Sequence, residues 1–288
     1  MIFVAKPIAL CVDSACDLSD ELLEKYKVNV MSLHLNLDGK TYLDGDDLTP
    51  DDMYRVYAEK GILPTTAAAN MEEYKDYVRP FIEAGNDVIY ITLGSGLSTT
   101  YNNCRMAAEE TPGMYVIDSR SLSTGFGLVV IETAERIAAG MPAQQIVDEV
   151  QALTSRVEAS FVLDNLEFLH KGGRCSTVAL LGANVLKIKP CIEVNPADGT
   201  MTVGKKYRGT LDAVLRQYVA DRLNGRDDLD TRRIFITNSG ISDERVQMVY
   251  DAVKQYAQFD ETLFTRAGCI ISSHCGPNTL GILFLRKE

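Results

Sequence analysis

The sequence predicts an α/β protein of two domains. Three observations lead to that class. The chain has 288 residues, about twice the usual size of one domain. Its first half alternates short apolar runs with amphipathic segments, the order of strands and helices in a parallel sheet. Its second half breaks that alternation with a hairpin and more closely spaced strands, which suits a mixed or antiparallel sheet. The expected division gives a parallel-sheet, Rossmann-like domain over 1–158 and a second α/β domain over 159–288. The loop near 62–72 is expected to contact or cross to the other domain.

Taken in order, Ile8 to Val12 is an apolar strand ending in Asp13-Ser14-Ala-Cys-Asp17. Ser19 caps a helix from Asp20, with Leu22, Leu23 and Tyr26 at helical spacing. Val28 to Leu37 reads as strand, and Asp38-Gly39 as the hairpin turn before Thr41-Tyr42. Thr49-Pro50 opens a helix with proline at its first position. Pro64-Thr65-Thr66-Ala-Ala68 reads as a loop leading to a helix near Met71. Asp87 to Leu93 is a strand, Thr99 to Glu110 a helix, Met114 to Ile117 a strand and Leu128 to Ala139 a helix.

In the second half, Ala143 to Ser155 is an amphipathic helix and Ala159 to Leu163 a strand. An Ala/Leu/Gly-rich stretch, Val178 to Leu186, has helical character. Asp198-Gly199 turns a hairpin between Ile192–Val194 and Met201–Val203. Leu211 to Leu223 and Ser242 to Tyr256 are helices. Arg233 to Thr237, Cys269 to Ser272 and Ile282 to Leu285 are strands.

Composition narrows the function. Apolar residues make up 46% and charged residues 24%, enough for a globular core. A formal net charge of -11, spread along the chain, argues against nucleic acid or an anionic membrane surface as the main partner. Seven cysteines without a C-x-x-C pair read as reduced core residues of a cytoplasmic protein. No apolar run approaches the about 18 residues of a membrane span. The N-terminus reads as a first strand, not a signal peptide. Three scattered histidines make a zinc enzyme improbable, and no metal or cofactor is expected.

Candidate chemistry sits where strands end. Asp13-Ser14, Gly94-Ser95-Gly96 and Asp118-Ser119 each follow an apolar strand and precede a helix, so one shared cleft is expected. Gly94-Ser95-Gly96 lacks the glycine spacing of a nucleophile elbow and the lysine of a P-loop. Its amides and hydroxyl suit an anion, and a capped strand-to-helix turn explains the residues equally well. Lys171-Gly-Gly-Arg174 is either an anion site or a helix end with basic residues. His274-Cys-Gly-Pro277 places a histidine at an expected strand end, as donor, proton shuttle or turn stabiliser. His34 and His170 have no obvious partners. These pieces favour binding of a small anion between two domains over catalysis. A stand-alone serine-dependent ester hydrolase using Ser95 and His274, and a phosphate-sugar binder, are the alternatives.

The ordered set of motifs resembles the DegV family of bacterial fatty-acid-binding proteins, the binding subunits of fatty acid kinase. Asp13-Ser14-x-x-Asp17 looks like the family's D-S-x-x-D. Ser95-Gly-Leu-Ser-Thr-Thr-Tyr101 looks like S-G-L-S-G-T-Y with Thr99 for the glycine. Asp118-Ser119 with Ser123, Gly125 and Gly127, then Lys171-Gly-Gly-Arg174, Lys189-Pro190 and His274-x-Gly-Pro277, continue the series. The resemblance implies one fatty acid in an apolar tunnel between the domains. Its carboxylate would be gripped by Thr66, Ser95 and the amide of Gly96, with Arg174 and His274 beside it. The partner kinase would convert the carboxylate to an acyl phosphate for phospholipid synthesis, docking at Arg208. Two departures stand out. Thr66-Ala-Ala-Ala69 replaces the family's T-S-x-P loop, and Asn278 replaces a usual glycine.

Overall fold

The structure is a computed structural model that describes residues 6–175 and 188–288. The helical stretch expected over 178–186 lies outside these residues. The first domain holds β1 (Ile8–Asp13), α1 (Asp20–Lys25), β2 (Val28–Met31), β3 (His34–Leu37), β4 (Lys40–Leu43) and α2 (Pro50–Lys60). It continues with β5 (Thr65–Ala67), α3 (Met71–Glu83), β6 (Asp87–Thr92), α4 (Thr100–Glu109), β7 (Met114–Asp118), α5 (Ser123–Ala138) and α6 (Ala143–Leu153). The second comprises β8 (Val157–Val162), α7 (Glu167–Gly172), β9 (Lys189–Val194), β10 (Met201–Tyr207), α8 (Leu211–Leu223) and β11 (Leu229–Ser239). After these come α9 (Asp243–Tyr256), β12 (Glu261–Arg266), α10 (Cys269–Cys275) and β13 (Thr279–Arg286).

The expected α/β class with a parallel and a mixed sheet is found. Strands β2-β1-β6-β7 form a parallel sheet. The strand order reverses between β1 and β6, and the crevice at such a reversal is where ligands collect. Strands β10-β9-β8-β13-β11-β12 form a six-stranded sheet, antiparallel except for β11 with β12. A third small sheet, β4-β3-β5, flanks the crevice.

Helix α5 is buried along most of its length, from Ser123 to Ala134. An amphipathic surface helix has one apolar face; a helix apolar all round is a core element. Here α5 lies between the two large sheets, and one apolar cluster runs from Val12 and Ile91 through Phe126 and Val130 to Phe161 and Leu283. A second cluster fills the far side of the six-stranded sheet beneath α8 and α9. All seven cysteines are buried. No helix among the described residues is long and apolar enough to cross a membrane.

Several elements differ from expectation, each for a local reason. The strand expected over 28–37 splits into β2, parallel to β1, and β3, antiparallel to β4 and β5. The Thr65–Ala67 loop is strand β5, because β3 satisfies its backbone, with Leu35 opposite Thr66. The strand expected at 269–272 is helix α10. A four-residue apolar run has no readable period, and two distant carboxylates settle the matter. Asp17 accepts the Gly268 N–H at 2.8 Å and Asp44 accepts the Cys269 N–H at 2.7 Å, satisfying amides that open a helix. Helix α5 begins five residues earlier than expected, because Gly127 lets it approach the backbone at Cys16 and the side chain of Leu18. Strand β12 was not foreseen; it is a half-exposed edge with little apolar signal.

Candidate functional site

The first motif builds the frame. Asp13, at the end of β1, is fully buried and accepts from the Leu93 N–H at 2.9 Å and from the Tyr90 and Tyr74 hydroxyls. Burial pushes its carboxyl up to about 6 despite these donors. Ser14 donates to Asp44 at 2.8 Å and accepts the Leu33 N–H. Asp17 accepts from Ser123 of α5 as well as from Gly268. These residues tie β1 to β6, α5 and α10, and none of the three lines the cavity described below.

The second motif supplies a wall residue. After β6 the chain turns through Gly94-Ser95-Gly96. The Ser95 N–H donates to Asp118 Oδ1 at 3.0 Å and its hydroxyl donates to Asp118 Oδ2 at 2.5 Å. The glycines serve backbone packing. A Cβ at Gly94 would come within 2.8 Å of the Ser121 nitrogen, and one at Gly96 would overlap the Asp198 carbonyl oxygen of the β9–β10 turn. Gly96, whose amide the family resemblance places at the carboxylate, packs its Cα against that turn and is not among the cavity-lining residues.

The remaining residues meet across the domains. Thr66 on β5 and His274 on α10 lie 3.1 Å apart, Oγ1 to Nε2. His274 is on a helix, not at the strand end the sequence suggested. Burial, then the nearby Arg174 guanidinium, pulls its imidazole down to about 4, so it is neutral at ordinary pH. Gly172 makes room for the ring: a Cβ there would overlap Nδ1. Arg174 follows α7, exposed, and donates to the Gly172 carbonyl at 2.7 Å. His34, for which no partner was apparent, bonds Glu73 at 2.6 Å. Arg208 stands exposed just beyond β10.

Thr66, Ser95, Arg174 and His274 all line one cavity of about 430 Å³ between the domains. Its wall is mostly apolar, with Leu33, Leu97 and Leu122 from the first domain and Phe161, Ile270 and Leu283 from the second. Such a volume suits a single elongated small molecule. Among the described residues, no group of His, Cys, Asp or Glu is arranged to hold a metal ion. Asp118 and Gly172 were not singled out as site residues from sequence. The available signals were the strand-end position of Asp118 in Asp118-Ser119 and the place of Gly172 in Lys171-Gly-Gly-Arg174.

The family model described as "Uncharacterised protein, DegV family" matches residues 7–287. The chain belongs to the DegV family. A DegV domain-containing protein of Caldanaerobacter subterraneus is 29% identical over 283 residues, covering 97% of this chain and 99% of that one. A fatty-acid-binding DegV family protein from Thermus thermophilus is similar with a TM-score of 0.84 and 26% identity, over 97% of this chain and 99% of that one. A stearic-acid-binding protein from Eubacterium ventriosum is similar at 0.82 and 26%, over 97% and 98%. The DegV fold, with its two α/β domains, is therefore the fold of this chain.

Proposed function

We propose that this chain binds one long-chain fatty acid in the interdomain cavity and presents its carboxyl group to a partner fatty acid kinase. The observation that carries the reading is the mostly apolar cavity that also bears Thr66, Ser95, Arg174 and His274. Fatty acid binding by the similar Thermus thermophilus and Eubacterium ventriosum proteins supports it. At about 0.8 kcal/mol per buried CH₂, a long acyl chain contributes on the order of 10 kcal/mol of gross transfer. Hydrogen bonds to its carboxyl add roughly 1.5–3 kcal/mol each. The apolar wall thus sets affinity, and the polar residues set orientation. The kinase would form an acyl phosphate on the presented carboxyl, feeding phospholipid synthesis in the cytoplasm, with Arg208 as the docking residue.

The hydrolase reading is disfavoured by the bonding. The Ser95 hydroxyl goes to Asp118, and His274 goes to Thr66, so the serine–histidine pair that activates a nucleophile is not formed.

Native mass spectrometry of the purified protein tests the reading directly. A co-purifying long-chain fatty acid, about one per chain, is expected. An empty protein that cleaves acyl esters would sink it. With a DegV-partnered kinase and ATP, Arg208→Glu should lose acyl phosphate formation while retaining the lipid.

A further inference from the structure

Ser95 is not free to donate into the cavity it lines. Its hydroxyl proton goes to Asp118 Oδ2, while Asp118 Oδ1 accepts the N–H groups of both Ser95 and Arg120 at 3.0 Å. Asp118 is 6% exposed, and its own backbone N–H and C=O are both bonded to the Gln151 side chain of α6. Five hydrogen bonds thus fix Asp118 and hold Ser95 to it. A serine has one proton and two lone pairs, so with the proton committed Ser95 offers the cavity an acceptor.

Thr66 has the opposite character. His274 Nδ1 is buried without a hydrogen-bond partner among the described residues. A proton there would be an orphaned buried donor, which folded proteins avoid. With the proton on Nε2, the His274 ring donates to Thr66 Oγ1 and leaves the threonine's own proton for the cavity. One donor and one acceptor complement an undissociated carboxyl group, not a carboxylate.

We propose that the fatty acid head group is taken up together with one proton, shared through Ser95 between the ligand carboxyl and Asp118. The inference rests on the fatty-acid reading above. If both carboxyl groups were ionised, two anions would face a single hydroxyl proton, and paired carboxyls in one site hold a proton between them. The exchange balances. In one arrangement the ligand O–H donates to Ser95 Oγ, whose own proton is donated to Asp118. In the other, the ligand proton has moved to Ser95 Oγ and the former serine proton to Asp118 Oδ2. The second arrangement leaves the ligand as the carboxylate that a phosphoryl donor requires.

The surrounding charges are few. Arg120 is on the loop of Asp118 itself, and Asp198 is on the β9–β10 turn packed against Gly96. Asp13, at the end of β1, is turned to Leu93, Tyr74 and Tyr90. Arg174 and His274 face the cavity from the α7 and α10 side, and α6 contributes the uncharged Gln151. Arg174 offsets the one negative charge that remains.

Calorimetric titration of delipidated protein with myristate at pH 8, in phosphate and in Tris, counts the protons. Free myristate is ionised there. We expect about one proton taken up per bound chain, and a dissociation constant that rises about tenfold per pH unit. Asp118→Asn should bring the proton count close to zero, and Asp118→Glu should restore it. Wild-type binding without proton uptake overturns the inference, as does an unchanged count in Asp118→Asn. A wild-type protein that binds no fatty acid removes the parent reading and the inference with it.

Discussion

Each of these two cavity-lining hydroxyls is oriented by a side chain behind it, Ser95 by Asp118 and Thr66 by His274. A rotating hydroxyl alone would contribute little direction, so these partners matter as much as the hydroxyls they hold. Gly172 is part of the same arrangement. Gly172→Ala would improve intrinsic helix propensity but drive a methyl group into the His274 ring. We expect a net loss of about 1–3 kcal/mol from overpacking, with loss of bound lipid as His274 leaves Thr66. Thermal melting and lipid extraction check this, and a variant that keeps both its melting temperature and its lipid would refute it. Ser95→Ala and Thr66→Ala should likewise weaken lipid retention, measured by the same extraction. Ser95, Arg174 and His274 could be named from sequence because each sits in a short motif, and Thr66 only by its place in the family resemblance. Gly96 was ambiguous there, since a glycine looks the same whether a ligand or, as at the Asp198 turn, another backbone comes close.

Helix α10 shows how an element can depend on distant residues. Its N-terminal amides are held by Asp17 and Asp44, which lie far upstream in the first domain. Burial, with the nearby charge of Asp44 assisting, raises the Asp17 carboxyl to about 8. An unfolded aspartate titrates near about 3.9, so between the two values the folded protein holds a proton the unfolded chain has lost. That stabilisation is complete below about pH 4 and disappears as pH rises through 8. His274 acts in the opposite sense, lowering stability only as pH falls from about 6.5 toward 4. Its effect is silent between pH 6.5 and 8. Stability in urea should therefore fall across that window, by up to about 1.4 kcal/mol per pH unit for this group, and Asp17→Asn should flatten the slope. An identical slope in the variant would show that Asp17 does not carry it. Neither α10 nor β5 was legible as such, because a carboxylate cap in one case and a partner strand in the other override weak local preference.

At the scale of the molecule, α5 joins the domains through charge as well as apolar contact. Glu132 on α5, only 3% exposed, stands 2.9 Å from Arg136 on the same helix and 2.9 Å from Arg232 on β11. Arg233, also on β11, reaches Glu135 of α5 at 2.7 Å and Glu261 of β12 at 2.8 Å. Removing Glu132 takes one partner from each of Arg136 and Arg232, which keep Glu149 and Asp230. Glu132→Ala should destabilise the protein by about 1 kcal/mol, read as a lower urea midpoint. A loss below the uncertainty of the measurement would mean that the arginines find solvent and the cluster does not hold the domains.

The amino-acid sequence by itself determined the α/β class, the parallel sheet, most helices and the ordered motifs that carry the family resemblance. These are local properties: apolar periodicity, capping residues, turn dipeptides and short strings of polar residues. The tertiary structure alone decided which of those polar residues meet. It turned Asp13, Ser14 and Asp17 inward as a frame, coupled Asp118 to Ser95 across two strand ends, and brought Thr66 to His274 from opposite ends of the chain. It also decided which apolar core residues reach the cavity, Phe161 and Leu283 among them. Burial against a void and burial against another side chain demand the same residue types, so only the packed chain distinguishes them.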